Sequence, residues 1–185
     1  MHIKGSAYQA RQNMVRNEVG EERWQQFIDD YTKTEPLFAQ DIQADSDIPI
    51  EPFLKLNDAI IEAFFDGDIR VYWRFGEESA QWAFEKGPYH DFFDSRNYTK
   101  LIADAPLLWS TYYDEGEFTA VWIPDAKLVE ARIAQLPVRH AHFEYTVMGY
   151  MRRSLELTGA KIGLMRNIKG FVQGDDEAFY LFYID

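Results

Sequence analysis

The sequence of 185 residues contains no cysteine. This absence excludes disulfide bonds, thiolate zinc sites and a cysteine nucleophile. Long apolar runs are also missing, because Asp or Glu interrupts even the most apolar windows, 59–65 and 178–184, within one or two turns. The amino terminus has no apolar core of the kind found in secretory signals. The sequence therefore predicts a cytoplasmic protein with no membrane span.

Positive charge is scarce as well. The chain has 19 Lys and Arg against 31 Asp and Glu, which gives a net charge of -12, and the basic residues form no patch. Such a surface repels phosphate backbones, so we expect no nucleic acid partner. The hydrophobic content of 46% and the aromatic content of 16% are sufficient for a sizeable core. At this length we expect a single domain over residues 1–185.

Three common catalytic signatures are absent: the Gly-x-Ser-x-Gly elbow, the P-loop and the Gly-x-Gly-x-x-Gly turn. An enzyme would therefore lack a recognisable nucleophile or cofactor. We expect a noncatalytic protein, with dispersed acid and base pairs as the alternative. The acidic residues Asp41, Asp45, Asp47 and Glu51 lack the spacing of an EF-hand and indicate a solvated loop.

Hydrophobic spacing predicts helices in the first half of the chain and mainly strands in the last third. The predicted helices cover 6–19, 21–31, 49–66, 70–85, 97–104, 106–113 and 139–158. The predicted strands cover 118–123, 127–134, 160–172 and 178–184. Four strands and one helix cannot bury themselves alone, so the first half must supply another layer. We predict an α+β fold: a helical N-terminal half packed on a four-stranded antiparallel sheet, with one helix inserted between the two strand pairs.

Several segments resemble a known superfamily. They are Ile3-Lys4-Gly5, residues 107–116 (LLWSTYYDEG), the pair Gly149-Tyr150 with residues 155–160 (LELTGA), and residues 174–179 (GDDEAF). With the order of elements, they resemble the heme-nitric-oxide-binding-like and vinyl-reductase-like superfamily, which includes small trafficking-complex (TRAPP-like) subunits. The chain looks most similar to a bacterial branch of it. The resemblance implies a regulatory or sensory module.

The resemblance also implies what a cofactor would require. Heme-binding members have an axial histidine on a helix ahead of the sheet and a Tyr-x-Ser-x-Arg motif for the propionates. The corresponding helix here reads Pro106-Leu107-Leu108-Trp109-Ser110, and the region after it reads Glu130-Ala131-Arg132. The zinc thiolates of the cysteine-bearing branch are absent too. We therefore predict no heme and no other cofactor.

In several branches of the resembled superfamily, the space between helices and sheet holds apolar or aromatic ligands. We therefore predict a pocket for an apolar small molecule, with a solid aromatic core as the alternative. The candidate lining residues are Trp73, Trp82, Trp109, Tyr112, Trp122, Phe143 and Tyr150. The input could instead be a signalling partner protein.

A second hypothesis is a ligand-free scaffold that dimerises. Relatives associate through their helices, and a homodimer with two-fold symmetry is the commonest assembly. The candidate dimer surface consists of Met14, Val15, Trp24 and Phe27.

A weaker hypothesis is a metal site at the start of the last helix, where His140, His142 and Glu144 occur close together. On a regular helix His140 and Glu144 are four residues apart and share a face, whereas His142 points away. Metal sites normally need three or four converging ligands, so another would have to come from elsewhere, either from His90 or from an acidic loop residue. We favour a surface or helix-start role and predict no bound metal.

Overall fold

The computed structural model describes residues 1–85 and 97–185. The chain forms two compact units, one of His2–Asp68 and one of Ile69–Asp185 together with Met1. A single domain over 1–185 remains a prediction. Within the described ranges, none of the helices has the length and apolar character needed to cross a membrane.

The His2–Asp68 unit is mostly helical. Its elements are β1 (His2–Lys4), α1 (Gly5–Val19), α2 (Glu21–Tyr31), a 3₁₀ turn (Pro36–Ala39), β2 (Asp47–Pro49) and α3 (Ile50–Phe64). The two short strands pair antiparallel, with Ile3 opposite Ile48. Gly20 separates α1 from α2 with a φ of 89°, which residues with a side chain rarely adopt. The strands were not predicted, because three residues are too few to show a period of two.

The core of this unit contains one buried cation. Arg11 is 2% exposed, and its Nε donates to Oδ1 of Asn57 at 2.6 Å. The Asn57 amide in turn donates to the carbonyl of Phe53 at 2.7 Å. Buried polar groups are tolerated when they are hydrogen-bonded, so the bond to Asn57 helps to stabilise Arg11 inside a helical core that is mainly apolar.

In its described residues, 69–85 and 97–185, the Ile69–Asp185 unit contains three α-helices and the larger sheet. Its elements are α4 (Val71–Glu85), α5 (Tyr98–Tyr112), β3 (Glu117–Ile123), β4 (Leu128–Ala134), α6 (Val147–Leu157), β5 (Ile162–Lys169) and β6 (Ala178–Ile184). All neighbouring strands are antiparallel, in the order β3-β4-β6-β5. The predicted α+β class is confirmed, as is the helix between the two strand pairs.

Alternation along β6 determines which face of the sheet is buried. Ala178, Tyr180, Phe182 and Ile184 are buried, and the residues between them are partly exposed. On β4 the same face carries Ala131 opposite Tyr180 and Val129 opposite Phe182. Successive side chains of a strand point to opposite faces, so every second residue of these strands belongs to the core.

Helices α4 and α6 approach each other backbone to backbone. A methyl group added to Gly76 would collide with the carbonyl oxygen of Thr146 and lie 2.7 Å from the amide nitrogen of Tyr150. A methyl group on Gly149 would collide with the carbonyl oxygen of Trp73. Only glycine permits this approach, so the two helices form a tight joint.

Two predicted helix boundaries were wrong. The predicted helices 97–104 and 106–113 are the single helix α5, which includes Pro106. Proline removes one backbone donor, and the surrounding turns continue the helix on both sides. The predicted helix 139–158 begins as a π-helical turn, His142–Thr146, before α6.

Candidate functional site

The π-helical turn places polar side chains inside the protein. His142, Glu144 and Thr146 are 2%, 0% and 7% exposed. A π turn accommodates one extra residue in a helix, and such turns occur frequently at functional sites. We call His142 and Glu144, with the side chains they bind, the π-turn cluster; those side chains are Tyr113, Asn167 and Tyr180.

Glu144 forms the first half of the π-turn cluster. Its Oε1 accepts hydrogen bonds from the Tyr180 hydroxyl and the Asn167 amide, each at 2.9 Å. Its Oε2 accepts from the backbone N–H of Val172 at 2.9 Å. A carboxylate with 0% exposure requires such donors to compensate for lost hydration. The side chain thereby fastens the π turn to β5, to β6 and to the loop between them.

The hydroxyl of Tyr180 is held in its protonated form. Burial raises the pKa of Tyr180 above its ordinary value of 10.0, and the charge of Glu144 and the hydrogen bond to it raise the pKa further. An ionised phenolate beside a carboxylate would bring two like charges together. Tyr180 therefore serves as a stable hydrogen-bond donor at neutral pH.

His142 forms the second half of the π-turn cluster. Its Nε2 lies 2.9 Å from the hydroxyl oxygen of Tyr113, which follows α5. The imidazole ring also stands edge-on to Tyr72, with ring centroids 5.9 Å apart. The pair with Tyr113 joins the π turn to the end of α5, so the cluster links that helix to the sheet strands held by Glu144.

The three weak metal candidates do not converge. The Glu144 carboxylate is directed to Asn167, Tyr180 and Val172, whereas His142 is paired with Tyr113. The backbone N–H of His142 donates to Nδ1 of His140 at 3.1 Å. Among the described residues, no three His, Asp or Glu side chains are grouped to hold a metal ion. The expectation that His140 and Glu144 share a helix face is corrected, because His140 precedes the helix. His90 lies outside the described residues.

Four of the candidate pocket residues lie around the end of α5. Trp109 is 7% exposed, and its ring lies 4.3 Å from that of Tyr113, at 30°. The Tyr113 ring also contacts Phe143, which is fully buried, with centroids 5.7 Å apart. Tyr112 meets Tyr150 of α6 edge-on at 6.1 Å. The structure therefore brings these residues together along the line from α5 to α6.

The other three pocket candidates lie apart from that group. Trp73 of α4 is half-buried, donates from its indole to Glu77 at 2.9 Å and has its ring 6.1 Å from Tyr180. Trp122 of β3 is half-buried and meets the Tyr98 ring edge-on at 5.6 Å. Trp82 is half-buried near the end of α4. Their part in a pocket remains a prediction.

Burial excludes two of the four residues predicted for the dimer surface. Val15 and Trp24 are 0% and 1% exposed, so neither side chain offers a surface to a partner. Met14 and Phe27 are more accessible, and the Phe27 ring packs 5.2 Å from Phe64. A homodimer remains a prediction that can include only these two of the four residues.

The sequence did not identify Asn167 and Tyr180 as site residues. Tyr180 could have been placed on the inner face from the alternation of β6, but nothing local marks its bond to Glu144, which is 36 residues away. Asn167 lies on a strand whose residues are mostly exposed. One signal was present: Glu144 is a charged residue between the apolar positions Phe143 and Val147 of the last helical segment.

The sequence matches no protein-family model and no curated protein. The structure does resemble solved structures. An H-NOX protein from S. oneidensis in the Fe(II)NO ligation state has a TM-score of 0.77 and 12% identity, and the match covers 99% of each chain. An NMR structure of an H-NOX domain from Shewanella oneidensis in the Fe(II)CO ligation state has a TM-score of 0.75 at 12% identity, again covering 99% of both.

A third similar structure is described as probing the function of heme distortion in the H-NOX family. It has a TM-score of 0.73 and 12% identity, and the match covers 99% of this chain and 95% of that one. At this identity the likeness shows the fold alone. The heme-nitric-oxide-binding-like part of the predicted resemblance is thus confirmed for the fold. The vinyl-reductase-like and bacterial parts remain predictions.

Proposed function

We propose that this chain is a noncatalytic sensory module of the H-NOX-like fold that binds an apolar small molecule beside Trp109 instead of a heme. The observation that carries the proposal is the indole N–H of Trp109. The side chain is 7% exposed, and the N–H finds no hydrogen-bond partner within residues 1–85 and 97–185. The full-length likeness to H-NOX structures supports the sensory role.

The residues of α5 do not fit a heme. Heme iron is held by His, Cys, Met or Tyr, and residues 98–112 contain no His, Cys or Met. The helix has two tyrosines, but the Tyr98 ring packs against Trp122 and the Tyr112 ring packs against Tyr150. The similar solved structures concern Fe(II) ligation and heme distortion.

The surroundings of Trp109 indicate the class of ligand. The ring is parallel to within 13° of Phe118, with centroids 6.1 Å apart, and it also contacts Tyr113. An unsatisfied buried N–H costs about 1–3 kcal/mol. A ligand with an apolar body and one acceptor oxygen would satisfy this donor and keep the aromatic contacts. Such a molecule fits the usual pattern of apolar pockets with a few polar groups.

A route from Trp109 to the rest of the unit is present. Tyr112, on the same helix, contacts Tyr150 of α6. Tyr150 directly follows Gly149, where α6 meets the backbone of α4. A ligand that binds one arrangement of α5 more tightly shifts the population towards it. The tight joint would make α4 and α6 respond together.

A matched pair of probes tests this proposal. Acetophenone and ethylbenzene have similar size, but only acetophenone carries an acceptor oxygen. We expect acetophenone to raise the melting temperature of the purified protein more than ethylbenzene does. Trp109→Phe should abolish that difference, and Trp122→Phe, on β3, should preserve it. Equal stabilisation of the wild type by both probes, or none by either, would overturn the proposal.

A separate experiment tests the prediction that the protein does not bind heme. Hemin should give no saturable one-to-one complex with the purified protein in an absorbance titration. Native mass spectrometry of protein expressed with excess heme should likewise show the mass of the chain without heme. A stoichiometric complex with a defined axial ligand would contradict the proposal.

A further inference from the structure

A cavity of about 330 Å³ lies within the His2–Asp68 unit, between α1, α2 and the segment 38–42. This volume is near the lower end of the range for small-molecule sites, roughly 300–1,000 Å³. One wall is aromatic: the rings of Tyr8 and Phe38 stack with centroids 5.4 Å apart. A cavity of this size accommodates one ring with a short side chain.

The wall opposite the helices is fixed by a hydrogen bond. The amide of Gln9 on α1 donates to the carbonyl of Ile42 at 2.9 Å. This bond joins two elements that are 33 residues apart. The segment 38–42 is therefore held across the cavity.

Two side chains that line the cavity carry hydrogen-bond donors, namely the Tyr8 hydroxyl and the Trp24 indole N–H. Tyr8 and Trp24 are 5% and 1% exposed, and both belong to the lining. Neither the Tyr8 hydroxyl nor the Trp24 indole N–H forms a hydrogen bond to any described residue. Burial raises the pKa of Tyr8, against a smaller opposing effect of Arg16, so its hydroxyl is a donor at neutral pH. An acceptor atom on an occupant of the cavity would satisfy these donors.

The charge of the lining is negative. Asp29 and Asp41 line the cavity, and no Lys, Arg or His of the described residues does. One oxygen of Asp29 accepts from Gln25 at 2.8 Å, and one oxygen of Asp41 accepts from Gln43 at 2.6 Å. The second oxygen of each carboxylate is not used in these bonds. The lining therefore favours a cation and disfavours an anion.

From these features we infer that the cavity is a second binding site, for a small organic amine built on a ring with an acceptor atom. The ring would pack on Tyr8 and Phe38, its acceptor would receive the Trp24 N–H, and the ammonium group would pair with Asp29 and Asp41. This site is independent of the one beside Trp109, since every lining residue belongs to the His2–Asp68 unit.

Two probes that differ in the charge of their terminal group test this inference. Histamine and imidazole-4-propionate share the imidazole ring and the two-carbon linker, but one ends in an ammonium group and the other in a carboxylate. Calorimetric titration of the full chain should give saturable binding of histamine with Kd at or below about 1 mM. The propionate should bind at least about tenfold more weakly. No saturable histamine binding, or equal binding of both probes, would overturn the inference.

Variants locate the bound probe. The double variant Asp29→Asn and Asp41→Asn should weaken histamine binding at least about tenfold. Asp30→Asn is the matched control, because Asp30 is next on α2 but pairs with Lys33 at the surface and does not line the cavity. Undiminished binding by the double variant would overturn the inference.

A spectroscopic readout uses the unmodified protein. Histamine should shift the ¹H–¹⁵N resonance of the Trp24 indole, assigned by its loss in Trp24→Phe. The Trp122 indole, in the other unit, should keep its position. A Trp24 resonance that does not move at saturating histamine would also contradict this site.

Discussion

Glu144 accepts a hydrogen bond from the Tyr180 hydroxyl at 2.9 Å, and the two side chains are 0% and 2% exposed. The bond connects the π turn to a central strand of the sheet. The same carboxylate also accepts from Asn167 and from the backbone of Val172. One buried side chain therefore holds together parts of the chain that are far apart in sequence.

Glu144→Ala should destabilise the protein by about 3 kcal/mol, because it leaves three buried or partly buried donors without their acceptor. The measurement is the free energy of unfolding in urea. Glu78→Ala, at an exposed position of α4, is the control and should change that free energy by less than about 0.5 kcal/mol. Similar small losses for the two variants would show that the Glu144 bonds contribute little.

The pH dependence of stability should reflect Tyr180. Its pKa in the folded protein is raised above 10.0, so the folded state binds this proton more tightly than the unfolded chain does. The resulting stability is fully present below about pH 10 and is lost as the pH rises towards the folded pKa. Unfolding free energies measured from about pH 8 to pH 11 should fall, and Tyr180→Phe should reduce the slope.

The control for that experiment is Tyr183→Phe, on the opposite face of β6. It removes a hydroxyl from the same strand and leaves the hydrogen bond between Tyr180 and Glu144 in place, so the contribution of Tyr180 to the slope should persist. Some pH dependence should persist in Tyr180→Phe, since burial also raises the pKa values of Tyr8, Tyr31 and Tyr145. An unaltered slope in Tyr180→Phe would contradict the assignment.

The joint between α4 and α6 should not tolerate side chains. Gly76→Ala or Gly149→Ala should each lower the melting temperature markedly, with a loss of about 2–3 kcal/mol, because a methyl group would have to push apart two backbones. Ala is ordinarily the better helix former by about 1 kcal/mol, so a stabilised variant would disprove the close approach. Differential scanning calorimetry, with Glu78→Ala as reference, measures the effect.

Asn57 should be essential to the buried Arg11. Asn57→Ala removes the acceptor of a hydrogen bond at 2.6 Å from a cation that is 2% exposed, and a loss of about 2–3 kcal/mol is expected. Asn13→Ala, at an exposed position of α1, should be close to neutral. Urea unfolding of both variants is the measurement. Equal stability of the two would show that Asn57 does not support Arg11.

Elements with strong local signals were predictable. The helix α2 and the strand β6 have the predicted bounds, Glu21–Tyr31 and Ala178–Ile184. In each segment the apolar residues recur with a clear period, and the residues at the ends are of types that suit the ends of that element. The helix α5 was divided wrongly because proline was taken as a boundary. A local rule of this kind fails when the turns before and after the proline are themselves well packed.

The candidate site was less predictable than the fold. Glu144 was named from its neighbours His140 and His142, which suggested a metal, but its actual partners come from β5, β6 and the loop between them. Pairings over such distances depend on sheet register, and the extra residue of the π turn changes which way each side chain points. Neither can be obtained from local spacing.

The position of β6 has a consequence for how the protein is made. The strand order β3-β4-β6-β5 places the strand that is synthesised last of the four between β4 and β5. On the ribosome, β3 and β4 can form a hairpin early, but β5 has no neighbour until β6 has emerged. The buried face of the sheet is therefore completed in a late step, and until then β5 and one side of β4 are unpaired edges that can pair with other chains.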